Sequence, residues 1–229
     1  MSGPLRLVLF DVDGTLVDSQ HAILAAMGEA FAACGLAAPA REAVLSIVGL
    51  SLPQAMARLA PEADDGLRGR LADAYREAFF AQRSAPGGGP PSPLFPGMRA
   101  LLDDLAARPE VLLGVATGKA RRGLDHLCAV HGLEAHFVTR QTADLNPSKP
   151  HPAMVLAALA ETGVEPRHAV MVGDTTFDVE MARAAGIPAI GVGWGYHDGA
   201  ALAAAGAERV VASAPELRTA LEQIWEAAW

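Results

Sequence analysis

The alternation of helical runs with short apolar segments over the second half of the chain constrains the fold more than any other feature. Helical spacing over 97–108, 119–131, 150–162 and 176–185 alternates with strand-like segments at Val111–Ala116, Phe137–Thr139 and Ala169–Val172, and Pro188–Val192 and Arg209–Val211 follow as two more. Strands that each return through a helix pair in parallel, and a parallel sheet needs helices on both faces. Glycines 132, 163, 186 and 206 stand where these helices should stop, at positions that favour a left-handed backbone. The expected fold class is therefore α/β.

Near the start, Leu5 to Phe10 is apolar except at Arg6 and ends in Asp-Val-Asp-Gly-Thr. It reads as a buried strand entering a turn, and it belongs with the later strands. From Gln20 to about Arg83 the pattern is helical, with about four helices and no convincing strand. This module interrupts the sheet domain. It ends in a Pro- and Gly-rich stretch at 84–96 that reads as a hinge or linker. Residues 1–16 and 96–229 are expected to form the sheet domain, and 17–95 a helical insert with its hinge.

The chain has 229 residues, enough to bury a full core, with 51% hydrophobic residues. No stretch approaches the roughly 18 apolar residues of a membrane helix, and the first residues lack the apolar core and cleavage site of a signal peptide. A cytoplasmic protein is expected. A net charge of -8 argues against binding the phosphate backbone of nucleic acids. Cys34 and Cys128 have no metal or redox spacing and read as small buried hydrophobes. Among the 18 basic residues only Lys119 and Lys149 are lysines. Such Arg-rich usage should keep Lys mainly where a compact ammonium is needed.

In open α/β sheets ligands bind beyond the carboxyl ends of the strands. Asp11, Asp13 and Thr15 follow the first strand, Thr117, Gly118 and Lys119 the second, and Asp174 and Asp178 the fourth, while Lys149 precedes the helix of 150–162. Each piece alone also fits a structural role. Asp-x-Asp-Gly-Thr suits a turn, Thr-Gly-Lys a helix entry, and an i,i+4 pair of acids a helix N-terminus. Their joint occurrence, in order and at strand ends, points to one site.

Four segments carry a resemblance: Asp-Val-Asp-Gly-Thr-Leu-Val-Asp-Ser at 11–19, Ala-Thr-Gly-Lys at 116–119, Ser-Lys-Pro-His-Pro at 148–152, and Gly-Asp-Thr-Thr-Phe-Asp-Val-Glu-Met-Ala at 173–182. On these the chain resembles the haloacid dehalogenase superfamily, in the branch similar to phosphoglycolate phosphatases. The resemblance implies a Rossmann-like parallel sheet core with an inserted α-helical cap. It implies Asp11 as nucleophile and Asp13 as general acid/base. Thr117, the backbone at Gly118, and Lys149 would hold the phosphoryl oxygens. Mg²⁺ would sit between Asp11, the backbone carbonyl of Asp13, and Asp174, with Asp178 supporting it. The implied substrate is a small phosphate ester such as phosphoglycolate or a sugar phosphate.

The physical chemistry is compatible, because a carboxylate attacks a phosphate dianion only when a cation neutralises the charge between them. Relatives often carry Thr-Asn-Lys where this chain has Thr117-Gly118-Lys119, so an amide is missing beside the phosphate. Lys119 is expected either to reach the far end of the substrate or to be an exposed helix-start lysine. The turn at Gly49-Leu50-Ser51 resembles a cap specificity loop, and His21 reads as structural. Gly191-Val-Gly-Trp-Gly-Tyr-His-Asp lacks the spacing of a dinucleotide turn and reads as a loop after a strand. Asp13 speaks against a dehalogenase, and the lack of lysine between 17 and 118 against a phosphonatase. A β-phosphoglucomutase-like isomerase and a receiver-like phospho-Asp signalling module stay open as alternatives.

Overall fold

A computed structural model describes residues 4–84 and 92–227. Strands β1 (Arg6–Phe10), β2 (Val111–Thr117), β3 (Phe137–Thr142), β4 (Ala169–Gly173), β5 (Ala189–Val192) and β6 (Arg209–Val211) form one six-stranded parallel sheet of order β3-β2-β1-β4-β5-β6. The sheet is Rossmann-like. Helices α1 (Gln20–Ala33), α2 (Arg41–Leu45), α3 (Leu52–Leu59) and α4 (Asp65–Ser84) fall between β1 and β2, followed by α5 (Met98–Ala106). The later helices are α6 (Arg121–His131), α7 (Ala153–Thr162), α8 (Thr176–Ala184), α9 (Gly199–Ala205) and α10 (Ala214–Ala227).

Strand β1 is central and covered on both faces, which is why it is apolar from Leu7 to Phe10 rather than alternating. Val8 and Phe10 pack with Met98, Leu102, Leu124 and Leu217 on one face, and Leu7 and Leu9 with Met154, Val155, Met171 and Val179 on the other. The chain leaves β1 toward β2 and β3 on one side, then crosses back to β4 on the other. The carboxyl ends of β1 and β4 thus form the switch point of the sheet, where a crevice opens.

Helices α1–α4 gather around a third apolar cluster that includes Ile23, Met27, Phe31, Met56 and Leu71. The two chain crossings that join this cluster to the sheet run side by side. Val17 pairs with Leu94, Asp18 N donates to Pro93 O at 2.9 Å, and Phe95 N donates to Leu16 O at 2.9 Å. Of the hinge expected at 84–96, residues 85–91 lie outside the described residues.

The element boundaries differ from the sequence pattern in two informative places. Strand β3 continues through Thr142 because Gln141 is buried, donating to Thr139 Oγ1 (3.0 Å) and Glu161 Oε2 (2.9 Å), so a polar residue occupies a core-facing strand position. Helix α7 begins at Ala153 rather than 150, with Pro152 as its N-cap, because proline cannot donate within a helix interior. Gly132, Gly163 and Gly206 do end α6, α7 and α9 with positive φ. Cys128 is buried as expected, whereas Cys34 is only half-buried. Among the described residues no helix is long and apolar enough to cross a membrane.

Candidate active site

Asp11 is the first residue beyond β1, and its N–H donates to Val172 O (2.9 Å), which ties it to the end of β4. Its side chain is 1% exposed. Lys149 Nζ pairs with Oδ1 at 2.9 Å, while Oδ2 has no hydrogen-bond partner among the described residues. Burial pushes this carboxyl up to about 7; Lys149 opposes the rise, while the Asp178 and Asp13 charges add to it. A buried carboxylate with one oxygen left open in this way is costly unless a further cation or ligand joins it.

Lys149 is fully buried between Asp11 and Asp178, with Nζ 2.5 Å from Asp178 Oδ1. Burial disfavours the ammonium, but the two carboxylates outweigh it and its pKa rises. Asp178 is committed on both oxygens. Its Oδ2 accepts from Thr175 N (3.1 Å) and Thr175 Oγ1 (2.7 Å), closing the capping box that starts α8. The same residue therefore begins a helix and fixes the lysine.

Asp174, just after β4, is fully buried. Its Oδ1 accepts from Thr15 Oγ1 (2.8 Å) and its Oδ2 from Tyr196 N (2.9 Å). Burial and then the charges of Asp11 and Asp178 hold its carboxyl well above the usual range. Asp11, Asp174 and Asp178 each bring one oxygen to within 4.8 Å of the others. Hard carboxylate oxygens, mutually repelling and partly unsatisfied, suit Mg²⁺, and the residues present fit that ion. Asp11 and Asp174 are the better donors, since Asp178 already serves Lys149 and Thr175.

Asp13 lines the same cavity but lies outside the cluster of three acids. Both of its oxygens meet Lys119 Nζ, at 2.9 and 2.8 Å, and the ammonium also lies 5.1 Å from the centre of the Phe79 ring. This corrects one of the two expectations for Lys119: the side chain is not exposed but is paired with Asp13 on the cavity wall. Thr117 is buried at the end of β2, and its Oγ1 accepts from Lys119 N (3.2 Å).

At position 118 the lack of a side chain has a steric cause. A Cβ on Gly118 would lie 2.5 Å from Gly49 O and 2.6 Å from Leu50 O. The loop between α2 and α3 occupies the space that an amide side chain would need. Ser51 N donates to Ser148 Oγ (2.7 Å), pinning this loop next to Lys149. A cavity of about 590 Å³ lies beneath it, lined by Asp11, Asp13, Thr117, Gly118, Lys119 and residues 49–51 together with side chains of α1 and α4. Lys149, Asp174 and Asp178 back its floor through Asp11. His21 is exposed at the start of α1 and does not line the cavity.

The sequence identifies the segment after β5 as a loop following a strand, but not its contacts with the site. Trp194 Nε1 donates to Thr15 O (3.1 Å), and the Tyr196 hydroxyl lies 3.1 Å from Ser19 Oγ. Gly14 and Gly195 clasp Asp174 from two sides: a Cβ on Gly14 would fall 2.2 Å from Asp174 Oδ2, and one on Gly195 2.1 Å from Asp174 Cβ. The rule that selects strand carboxyl ends would have found residues 193–197 had it been applied to the fifth strand.

The haloacid dehalogenase-like hydrolase family matches residues 8–192. The chain is 35% identical over 193 residues to the probable phosphatase IndB of Dickeya dadantii, covering 83% of this chain and 82% of that one. It is 31% identical over 202 residues to the phosphoglycolate phosphatase of Photorhabdus laumondii, covering 87% and 85%. A hydrolase from Pseudomonas syringae superimposes with a TM-score of 0.82 at 26% identity, over 96% of this chain and 99% of that one.

Proposed function

The chain belongs to the haloacid dehalogenase-like hydrolases and is a phosphatase acting on phosphoric monoesters, and from that premise we propose that it moves the phosphoryl group of a small organic ester onto Asp11 and then to water, with Mg²⁺ bound. The observation that carries this reading is the buried carboxylate of Asp11 in the cavity, one oxygen paired with a fully buried lysine and the other open, beside a second buried acid. Asp11, Asp174 and the backbone carbonyl of Asp13 would hold the ion, with Asp178 behind them. Bound there, it would neutralise charge between nucleophile and phosphate.

The rest is the work of the chain. An oxygen of Asp11 forms a bond to phosphorus as the bond from phosphorus to the alcohol oxygen breaks, and Asp13 gives its proton to the departing alkoxide. Asp13, now a carboxylate, takes a proton from water as the water oxygen attacks phosphorus. The aspartyl-phosphate bond breaks, inorganic phosphate leaves, and both acids return to their first state. Lys119 Nζ meets both oxygens of Asp13 and so positions this side chain at the cavity. Thr117, the backbone of Gly118 and Lys149 are placed by this reading on the phosphoryl oxygens, where added positive charge stabilises transfer.

We assign residues 1–16 and 96–229 to a catalytic core and 17–95 to a cap whose closure excludes water. The two free cysteines suit a cytoplasmic setting. Turnover of p-nitrophenyl phosphate with Mg²⁺, lost with a chelator and lost in Asp11→Asn at unchanged fold, is the expected result. Full activity in a folded Asp11→Asn would refute the nucleophile. A single stoichiometric phosphorylation without further turnover would favour the receiver reading.

A further inference from the structure

Beyond its reacting end the cavity is larger than a two-carbon acid, and one side of it is apolar. At about 590 Å³ it has the size that encloses a drug-like ligand. Its walls are Met27 from α1, Ile47 and Leu50 from the loop, and Tyr75 and Phe79 from α4. Met27, Ile47 and Leu50 are nearly buried, and the Tyr75 and Phe79 rings stack with centroids 5.7 Å apart.

The cations along the cavity have their partners on its own walls or beside it, and His126 lines it as well. Lys119 holds Asp13, Arg76 meets Asp73 at 2.6 Å with much of its side chain in solvent, and the Arg122 guanidinium lies 4.6 Å from the centre of the half-exposed Phe80 ring. Asp144, also on the wall, adds negative charge that accepts from Arg121 N (3.1 Å). On the side formed by Met27, Ile47, Leu50, Tyr75 and Phe79, a carboxylate or a sugar would give up water for apolar surface. An apolar body would gain by the same exchange.

We propose that the preferred substrate is the phosphomonoester of an apolar alcohol of about ring size, an aralkyl phosphate in chemical class. The proposal rests on the phosphatase reading of the same site. Phosphoryl transfer stays at Asp11, while α1, α4 and the 47–50 loop select the leaving alcohol by packing.

The test compares kcat/KM, with Mg²⁺, for ethyl, n-hexyl and 2-phenylethyl phosphates, 2-phosphoglycolate and glucose 6-phosphate. The three alkyl esters have leaving groups of similar basicity, so their differences report binding. The 2-phenylethyl ester should exceed ethyl phosphate and 2-phosphoglycolate by about tenfold or more, the scale on which apolar pockets discriminate. Phe79→Ala should shrink that ratio to about threefold or less. Independently of any variant, 2-phenylethylphosphonate should inhibit the unaltered protein at least about tenfold more tightly than ethylphosphonate. Equal or better turnover of 2-phosphoglycolate or glucose 6-phosphate would overturn the proposal and leave the phosphatase reading standing. No turnover of any ester, p-nitrophenyl phosphate included, would overturn both.

Discussion

Lys149 shows how one side chain can be fixed by charge and by shape together. Its ammonium is enclosed by Asp11 and Asp178 with no solvent contact, so removing it leaves two carboxylates buried against each other. Breaking a buried pair in this way typically costs about 3–5 kcal/mol. Lys149→Met should therefore lower the free energy of unfolding by that order in urea titrations and abolish turnover. Lys149→Arg should not restore activity, because the planar guanidinium cannot place one compact charge between two carboxylates. An unfolding midpoint unchanged in Lys149→Met would mean that the ion pair contributes nothing. Both lysines of an arginine-rich chain lie in the site, so the bias in composition pointed to the right positions. It did not reveal the partner of Lys119, since pairing with Asp13 across 106 positions depends on how two strand ends are set side by side.

At the scale of elements, the loop joining α2 to α3 and the turn after β2 are shaped to each other. Gly118 leaves room for the carbonyls of Gly49 and Leu50, and Ser51 is held to Ser148. Restoring the amide of the relatives with Gly118→Asn should push this loop outward while leaving the sheet intact. A misplacement of about 1 Å near the reacting groups can lower rates on the order of a hundredfold. The expected outcome is a kcat/KM reduced by about tenfold to a hundredfold with a melting temperature close to that of the parent. A variant with wild-type kinetics would show that the loop does not need that contact during turnover. The sequence comparison noticed the missing amide but read it only as a loss; the structure supplies the steric reason.

For the whole molecule, the cluster of Asp11, Asp174 and Asp178 stores repulsion that a divalent ion would relieve. An ion that binds only the folded state at a hundred times its Kd adds about 2.7 kcal/mol. For a chain of this length that corresponds to a rise in melting temperature of roughly 5–10 °C, reversed by a chelator. Asp174→Ala should lose most of the rise, and a parent protein whose melting point ignores Mg²⁺ would remove the ion from the mechanism. The α/β class, the interrupting helices and the strand ends that carry acids were legible in the sequence, because apolar periodicity and glycine stops are local properties of the chain. Asp11, Asp13, Thr117, Gly118, Lys149, Asp174 and Asp178 were legible too, as motifs at those ends. Three features came only with the tertiary structure: the lock of Lys119 on Asp13, the clasp of the 193–197 loop on Asp174, and the apolar chamber between α1, α4 and the sheet. Each is a contact between segments far apart in the chain, and their packing, not their spacing, determines which side chains meet.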